Sequence, residues 1–371
     1  MSKIVITGGA GFIGSHIAEN LAKDGHEIVI VDNLDPYYSV DLKKINIDLV
    51  LNSGDATFIN ADITDLTRMR QIIDSTVDYV YHEAAQAGVR ISVEDPFKPN
   101  DVNVRGTLNV LKASLDANVK KVINASSSSV YGKVKYLPFD EQHPTEPVSP
   151  YGVSKLASEH YCRVFYEVYG LPTTSLRYFT VYGPRMRPDL AISIFTRKML
   201  ANEKITVFGD GGQTRDFTYI DDVVEANKRL LYNKKTDGKI LNIGSGNRIS
   251  VNDLIENLRY ITGSMSEVIN AGKQKGDSEN TLANIDLGNE LIGYKPLFDI
   301  NKGLHKFVNW FKIEGSLVCS INKLMLLHQV HESQWFKTSE IEDLQTKRLR
   351  AVVKNASDNI DFVIQYQQNL E

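Results

Sequence analysis

Thr7-Gly8-Gly9-Ala10-Gly11-Phe12-Ile13-Gly14 follows the β-branched run Lys3–Thr7 and opens the amphipathic stretch Ile13–Lys23. A strand, a glycine-rich turn and a helix in that order form the phosphate-binding corner of a parallel βαβ unit. The glycines have separate tasks. Gly8 permits the tight turn, Gly11 lets the backbone approach a pyrophosphate, and Gly14 allows helix to pack closely on strand. The helix start then offers N–H groups and a partial positive charge to phosphate oxygens. The next strand-like run, Glu27–Asp32, ends on an acid. Asp32 is placed to accept hydrogen bonds from adenosine ribose hydroxyls and to repel a 2′-phosphate. Val31-Asp32-Asn33-Leu34 holds no Arg or Lys to receive one. The motif therefore favours NAD over NADP. The plainer alternative for Asp32 is a turn residue at a strand end.

Outward from this corner the alternation continues. Strand-like runs at Thr57–Asn60, Tyr79–His82, Lys121–Ala125 and Thr173–Tyr178 are separated by helix-like stretches such as Leu66–Asp74, Val102–Ala117 and Gly152–Tyr169. The strands are nearly unbroken apolar runs, as in sheets covered on both faces. The expected fold is α/β: a Rossmann-type doubly wound parallel sheet over residues 1–179. After about Thr180, Pro184, Pro188 and the Gly209–Gly212 turn break the pattern, and residues 180–312 read as a smaller substrate-binding lobe. A segment near 217–244, with the strand-like Leu241–Ile243, returns to the first domain, so the lobes interleave in sequence. Residues 313–371 form an extension of unassigned role, with helix-like stretches at Leu317–Val330 and Ser339–Asn355.

Composition narrows the function classes. The chain has 371 residues, and its 42 basic against 46 acidic side chains give a net charge of −4, which offers no general attraction for nucleic acid or an anionic membrane. Phosphate recognition must then be local. Cys162 and Cys319 stand outside any Cys-x-x-Cys, so free thiols in a reducing cytoplasm are expected rather than a disulfide or a metal site. The start Met-Ser-Lys runs directly into a strand, and there is no apolar run of about 18 residues; neither a signal peptide nor a membrane span is expected.

Tyr151-Gly152-Val153-Ser154-Lys155 places a tyrosine and a lysine four apart, on one face of a helix start. A free tyrosine, with a pKa of about 10, is a poor base at neutral pH. A neighbouring ammonium and a cationic nicotinamide would lower that value, and the phenolate could then take a proton from a substrate hydroxyl as hydride leaves the same carbon. The spacing alone is common on solvated helix faces. Its weight comes from the glycine corner upstream and from Ser126-Ser127-Ser128-Ser129-Val130-Tyr131-Gly132, which follows a strand and so lies at the carboxyl end where open α/β sheets bind ligands.

Taken together, TGGAGFIGSH (7–16), AAQAGVR (84–90), NVRGTLNVL (103–111), SSSSVYG (126–132), SPYGVSK (149–155), LRYFTVYGP (176–184) and GDGGQTRDFTYIDDVV (209–224) resemble the extended short-chain dehydrogenase/reductases, and within them the UDP-sugar 4-epimerases. The likeness runs from about residue 2 to residue 312. It implies Ser127, Tyr151 and Lys155 as the catalytic residues. For NAD it implies Gly8, Gly11, Phe12, Ile13, Gly14, Asp32, Asn33, Asp62, Ile63, Ala84, Ala85 and Asn103, with Tyr178 and Phe179 flanking the nicotinamide beside Tyr151 and Lys155. For the substrate it implies Thr180, Phe208 at the uracil, Gln213, Arg215 at the diphosphate, Asp277 and Thr281, together with Ser127. The bottom-up alternative for Arg215 is a surface ion pair with Asp216 or Asp221. A homodimer built on the helices near Val102–Ala117 and Gly152–Tyr169 is also implied.

Within that family, 4,6-dehydratases and decarboxylases carry acids where this chain has Ser128 and Ser129, so 4-epimerisation is the expected reaction. A non-catalytic NAD-binding regulator is the other alternative, opposed by the intact Ser127, Tyr151 and Lys155. The sugar stays open among UDP-glucose, UDP-N-acetylglucosamine and UDP-glucuronate. Thr180 and Gln274 replace the Asn and Arg common in glucose-type members, Thr281 leaves room for a bulky substituent, and Glu83 stands where an apolar residue is usual.

Overall fold

The computed structural model describes residues 1–272 and 280–315. In chain order the first half runs β1 (Lys3–Thr7), α1 (Phe12–Lys23), β2 (Glu27–Asp32), α2 (Val40–Leu51), β3 (Ala56–Asn60), α3 (Leu66–Ile72), β4 (Tyr79–His82), α4 (Val89–Glu94), the single turn α5 (Phe97–Pro99), a π-helical stretch Asn100–Gly106 leading into α6 (Thr107–Asp116), β5 (Lys121–Ser127), α7 (Pro150–Tyr169) and β6 (Thr173–Tyr178). Then come β7 (Thr180–Tyr182), α8 (Ala191–Leu200), β8 (Ile205–Phe208), β9 (Thr214–Arg215), β10 (Phe217–Tyr219), α9 (Ile220–Leu230), β11 (Lys239–Ile243), β12 (Ile249–Ser250), α10 (Val251–Thr262), β13 (Val268–Ala271), α11 (Asp286–Ile292) and α12 (Ile300–Trp310).

Seven parallel strands make the central sheet in the order β11-β6-β5-β4-β1-β2-β3. This is the doubly wound α/β sheet expected from the alternation. Connections leave β1 toward β2 on one side and reach β4 on the other, so the crevice between β1 and β4 is the switch point where such sheets bind ligands. The strands are buried on both faces, which is why they read as continuous apolar runs. Val5, Val29, Val80 and Val122 pack with Met69, Leu111 and Phe165 from α3, α6 and α7. The returning strand is longer than Leu241–Ile243 and pairs with β6 from Lys239 to Ile243. The remaining short strands form three two-stranded sheets: β7 with β10, β9 with β12, and β8 with β13.

Residues Met1–His305 form one unit, and a second unit begins at Lys306. Of that second unit the structure describes the end of α12 and the π turn Phe311–Gly315. The helix-like stretches at 317–330 and 339–355, and Cys319, lie outside the described residues. Cys162 is buried with a free thiol, and no group of three or more metal-ligating side chains occurs among the described residues. None of the described helices is long and apolar enough to cross a membrane.

Helix α7 starts where local chemistry puts it. Ser149 caps it by accepting from Gly152 N at 3.1 Å, Pro150 occupies the first turn, and Gly170 closes it in the left-handed conformation. Its middle is fastened to the sheet by a buried ion pair. Arg177 of β6 donates through Nε and Nη2 to Glu159 of α7 at 2.9 and 2.8 Å, and Ser126 of β5 donates to the same carboxylate at 2.5 Å. The two charged side chains are 4% and 1% exposed. Removing one partner strands the other charge in the interior. Arg177→Leu is therefore expected to lower unfolding stability by about 3–5 kcal/mol, measured by urea denaturation, with Arg177→Leu/Glu159→Leu recovering a large part of the loss.

Candidate active site

A cleft of about 1550 Å³ opens at the carboxyl end of the sheet. Its first wall is the glycine corner. Gly8 has φ +70°, and a Cβ there would lie 2.6 Å from the Ala84 backbone nitrogen, so only glycine lets the turn pass the β4 loop. A Cβ on Gly14 would lie 2.4 Å from the Gly8 carbonyl oxygen, so a side chain would push α1 off the turn. The α1 start has no side-chain cap and no acid in its first turn. Its leading N–H groups are thus left to an anion.

The corner continues to an acid pair. Asp32 is buried at the end of β2. The sequence around it lacks a cation, yet the fold supplies one: Lys43 from α2 reaches it at 3.2 Å. Asp62, on the β3 loop, accepts from Asn33 at 2.9 Å and from Thr64, bonds that hold its carboxyl below the usual range against the opposing effect of burial. Ile63, Ala84 and Ala85 complete this wall. Asn103 does not line the cleft. It is buried behind the wall, where its side chain accepts from Gln86 N at 2.7 Å and donates to Gln86 O and Ser154 Oγ.

At the other end, Ser127 is the last residue of β5, two residues past the expected strand end, and lines the cleft with Tyr151, Lys155, Tyr178 and Phe179. Burial pushes the Tyr151 phenol up from its ordinary value. A hydrogen bond with Ser127 and the positive charge of Arg187 oppose that push, and the Glu83 carboxylate adds to it. Lys155, 4% exposed, donates to the Ala125 carbonyl at 2.7 Å. Burial brings its ammonium down to about 8, while the Glu83 charge resists the change. The sequence pointed to Lys155 as the cation acting on Tyr151. In the folded chain the cation that favours the Tyr151 phenolate is instead Arg187, whose guanidinium is held by Asp189 at 3.0 Å through two bonds. Tyr37, from the loop after β2, donates to Asp189 at 3.0 Å and lies under Arg187, bridging the two walls.

The substrate-side residues line the same cleft. Thr180 begins β7, Gln213 donates to the Phe208 carbonyl at 2.9 Å, and Arg90 stacks on the Phe208 ring at 4.7 Å. Arg215 lines the cleft and donates to the Thr214 carbonyl at 2.9 Å. The Thr281 hydroxyl accepts from the Asp216 backbone N–H at 3.2 Å, while the buried Asp216 carboxylate accepts from Ser245, Gly246 and Ala283. Asp277 and Gln274 lie outside the described residues.

A glycine corner, a buried acid at the end of β2 and a Ser-Tyr-Lys set thus share one crevice. Residues 4–244 match the model of the NAD dependent epimerase/dehydratase family. The chain belongs to that family. It is 41% identical to a putative UDP-glucose 4-epimerase of Methanocaldococcus jannaschii, over 83% of this chain and 98% of that protein. It is 38% identical to a UDP-glucuronate 4-epimerase of Thermodesulfobacterium geofontis, over 86% and 99%. The crystal structure of UDP-glucuronic acid 4-epimerase from Bacillus cereus, in complex with UDP-glucuronic acid and NAD, superposes with a TM-score of 0.79 at 38% identity, covering 84% of this chain and 99% of that one.

The corner fits the family's dinucleotide: the uncapped start of α1 would hold a pyrophosphate, and the glycine turn leaves room for it. Bound NAD supplies a reversible hydride acceptor. The protein's own chemistry is proton transfer. Tyr151 and Ser127 share a hydrogen bond at the cleft wall, an arrangement able to pass a proton to an oxygen brought beside it. Tyr151→Phe should cut turnover by on the order of 10²–10⁴-fold while the protein still binds NAD, read by cofactor titration beside the rate. Because the lysine ammonium is the protonated form, it is present below about pH 8 and lost above it. The pH profile of kcat should accordingly fall on its alkaline side from about pH 8.

Proposed function

We propose that this chain catalyses the NAD-dependent 4-epimerisation of a UDP-hexose, and that UDP-glucuronate is the sugar its pocket suits best. The residues act as the resemblance implies. Tyr151 takes the C4 hydroxyl proton and Ser127 holds the oxygen, bound NAD would supply the acceptor and donor of the C4 hydride, and Tyr151 returns the proton to the oxygen once the sugar has presented its other face. Ser128 and Ser129 line the cleft where elimination or decarboxylation in this family would call for acids, and their hydroxyls are not acids at neutral pH. That observation carries the choice of epimerisation.

The preference for glucuronate rests on hydroxyls and charge. Ser127, Ser128, Ser129 and Thr180 line the cleft that Arg187 also enters. A carboxylate on the sugar would offer acceptor oxygens to the first group and a negative charge to the second. One observation favours a neutral hexose such as UDP-glucose instead: Asp189 already occupies two of the Arg187 N–H groups. Purified protein incubated separately with UDP-glucuronate, UDP-N-acetylglucosamine and UDP-glucose, with product mass and stereochemistry followed by chromatography, should convert UDP-glucuronate to an isomer of equal mass with the highest kcat/KM. A product lighter by water or carbon dioxide would reject epimerisation, and a faster reaction of UDP-glucose would reassign the sugar.

We also infer a homodimer through α7. Val153, Tyr161, Val164 and Val168 recur at helical spacing on that helix and are 54%, 36%, 37% and 67% exposed. Beside its start, Pro96, Val104, Pro147 and Val148 line an apolar groove. A second copy of the same stripe would cover this face. Light scattering should give twice the chain mass, and Val164→Asp should shift the protein to monomer without loss of helical circular dichroism.

A further inference from the structure

Glu83 follows β4 in the crevice between β4 and β1, where its backbone N–H donates to Thr7 O at 3.0 Å. Its side chain enters the cleft, and Oε1 accepts from the Tyr178 hydroxyl at 3.0 Å. The Asn227 amide donates to that hydroxyl at 2.9 Å and is itself fixed by the Val223 carbonyl at 2.9 Å. The tyrosine hydrogen is left for Glu83 and for Asn227 Oδ1 at 3.2 Å. Among the described residues, the titratable groups facing Glu83 are Lys155 and Tyr151 of α7, Tyr178 of β6 and Tyr81 of β4. Lys155 and Glu83 each favour the other's charged form without meeting in a direct ion pair.

A glutamine could accept the same Tyr178 hydrogen bond with no charge to desolvate. What the carboxylate alone provides is negative charge. The same end of the cleft holds the Lys155 ammonium, which by itself repels a cationic ring. NAD⁺ carries a positive nicotinamide and NADH a neutral one. We propose that Glu83 is a positioning residue that offsets the Lys155 charge and so biases the site toward oxidised cofactor. This rests on the reading above that Tyr178 and Phe179 flank the nicotinamide. An epimerase that releases its 4-keto sugar early is stranded with reduced cofactor, and a fixed negative charge at this end opposes that state. Burial raises the Glu83 carboxyl to about 7, with the Tyr178 bond and Lys155 opposing, so the bias is present above that value and fades as pH falls through it.

The ratio of dissociation constants for NADH and NAD⁺ tests this on the cofactor-stripped protein, with no sugar present. Calorimetry on wild type, Glu83→Gln and Glu83→Asp, well above and well below pH 7, should show a preference for NAD⁺ that is weakened on the order of tenfold in Glu83→Gln at high pH. Glu83→Asp should retain part of it, and at low pH wild type and Glu83→Gln should converge. Equal ratios in wild type and Glu83→Gln at high pH, or equal losses of both affinities, would overturn the proposal. Because no sugar is needed, a shifted ratio stands even where the epimerisation assay fails, and a successful epimerisation assay does not rescue an unshifted ratio.

Discussion

The bidentate bond between Arg177 and Glu159 sets the spacing of everything that reacts. Arg177 immediately precedes Tyr178 on β6, Ser126 immediately precedes Ser127 on β5, and Glu159 lies four residues beyond Lys155 on α7. One carboxylate therefore fixes two strands and a helix at the level where each presents its functional side chain. The guanidinium also lies 4.7 Å over the Tyr131 ring, whose hydroxyl donates to Asn242 at 2.6 Å. A buried pair of this kind adds little net stability compared with an apolar replacement, because both charges must leave water. Its value is geometric: a planar fork accepts one orientation of its carboxylate. An apolar contact would allow the helix to slide or rotate by fractions of an ångström that a proton transfer does not tolerate.

The parts of this site legible in the sequence are those whose chemistry is local. Gly8 and Gly14 are glycines because neighbouring backbone leaves no room, and Ser149-Pro150 announces a helix start because capping is decided within one turn. Tyr151 and Lys155 follow from that start by helical spacing alone. What the sequence did not disclose is pairing between distant segments. Lys43 lies 11 residues from Asp32 and meets it only because α2 folds back over β2. Asn103 carries a side chain suited to a cofactor, yet tertiary hydrogen bonds with Gln86 and Ser154 absorb it. Thr281, read from the resemblance as the gate to the sugar pocket, is held by the backbone N–H of Asp216, a buried acid whose role appears only once two distant segments, 245–246 and 281–283, converge on it. Arg187 gains its relevance only in the fold, where its loop meets Tyr37 and Asp189.

Charge balance links these hidden pairings to the reaction. A cleft that receives a diphosphate and a cationic ring must neutralise both without a general excess of either sign, and the chain as a whole is nearly neutral. The neutralisation is done in place. The uncapped start of α1 is left open to a phosphate, Lys43 serves Asp32, Asp189 serves Arg187, and Glu83 faces Lys155. Each partner comes from a different element, so the electrostatics of the site depend on the same tertiary contacts that shape it.

Those partners are not equally committed. Arg187 is tied by two hydrogen bonds to a carboxylate on its own loop, and loosening that loop would free a cation for an anionic sugar. Glu83 has a hydrogen bond to Tyr178 but no contact ion pair, so its charge is felt by several groups at once rather than spent on one. A contact pair would have cancelled Lys155 and removed it from the chemistry. Separation keeps both charges in play, and the carboxylate remains available to whatever cation arrives. Glu83 follows β4 and Lys155 lies on α7, so their relation does not show in the sequence; it is the lack of a contact pair in the fold that lets one acid balance the site without cancelling the lysine.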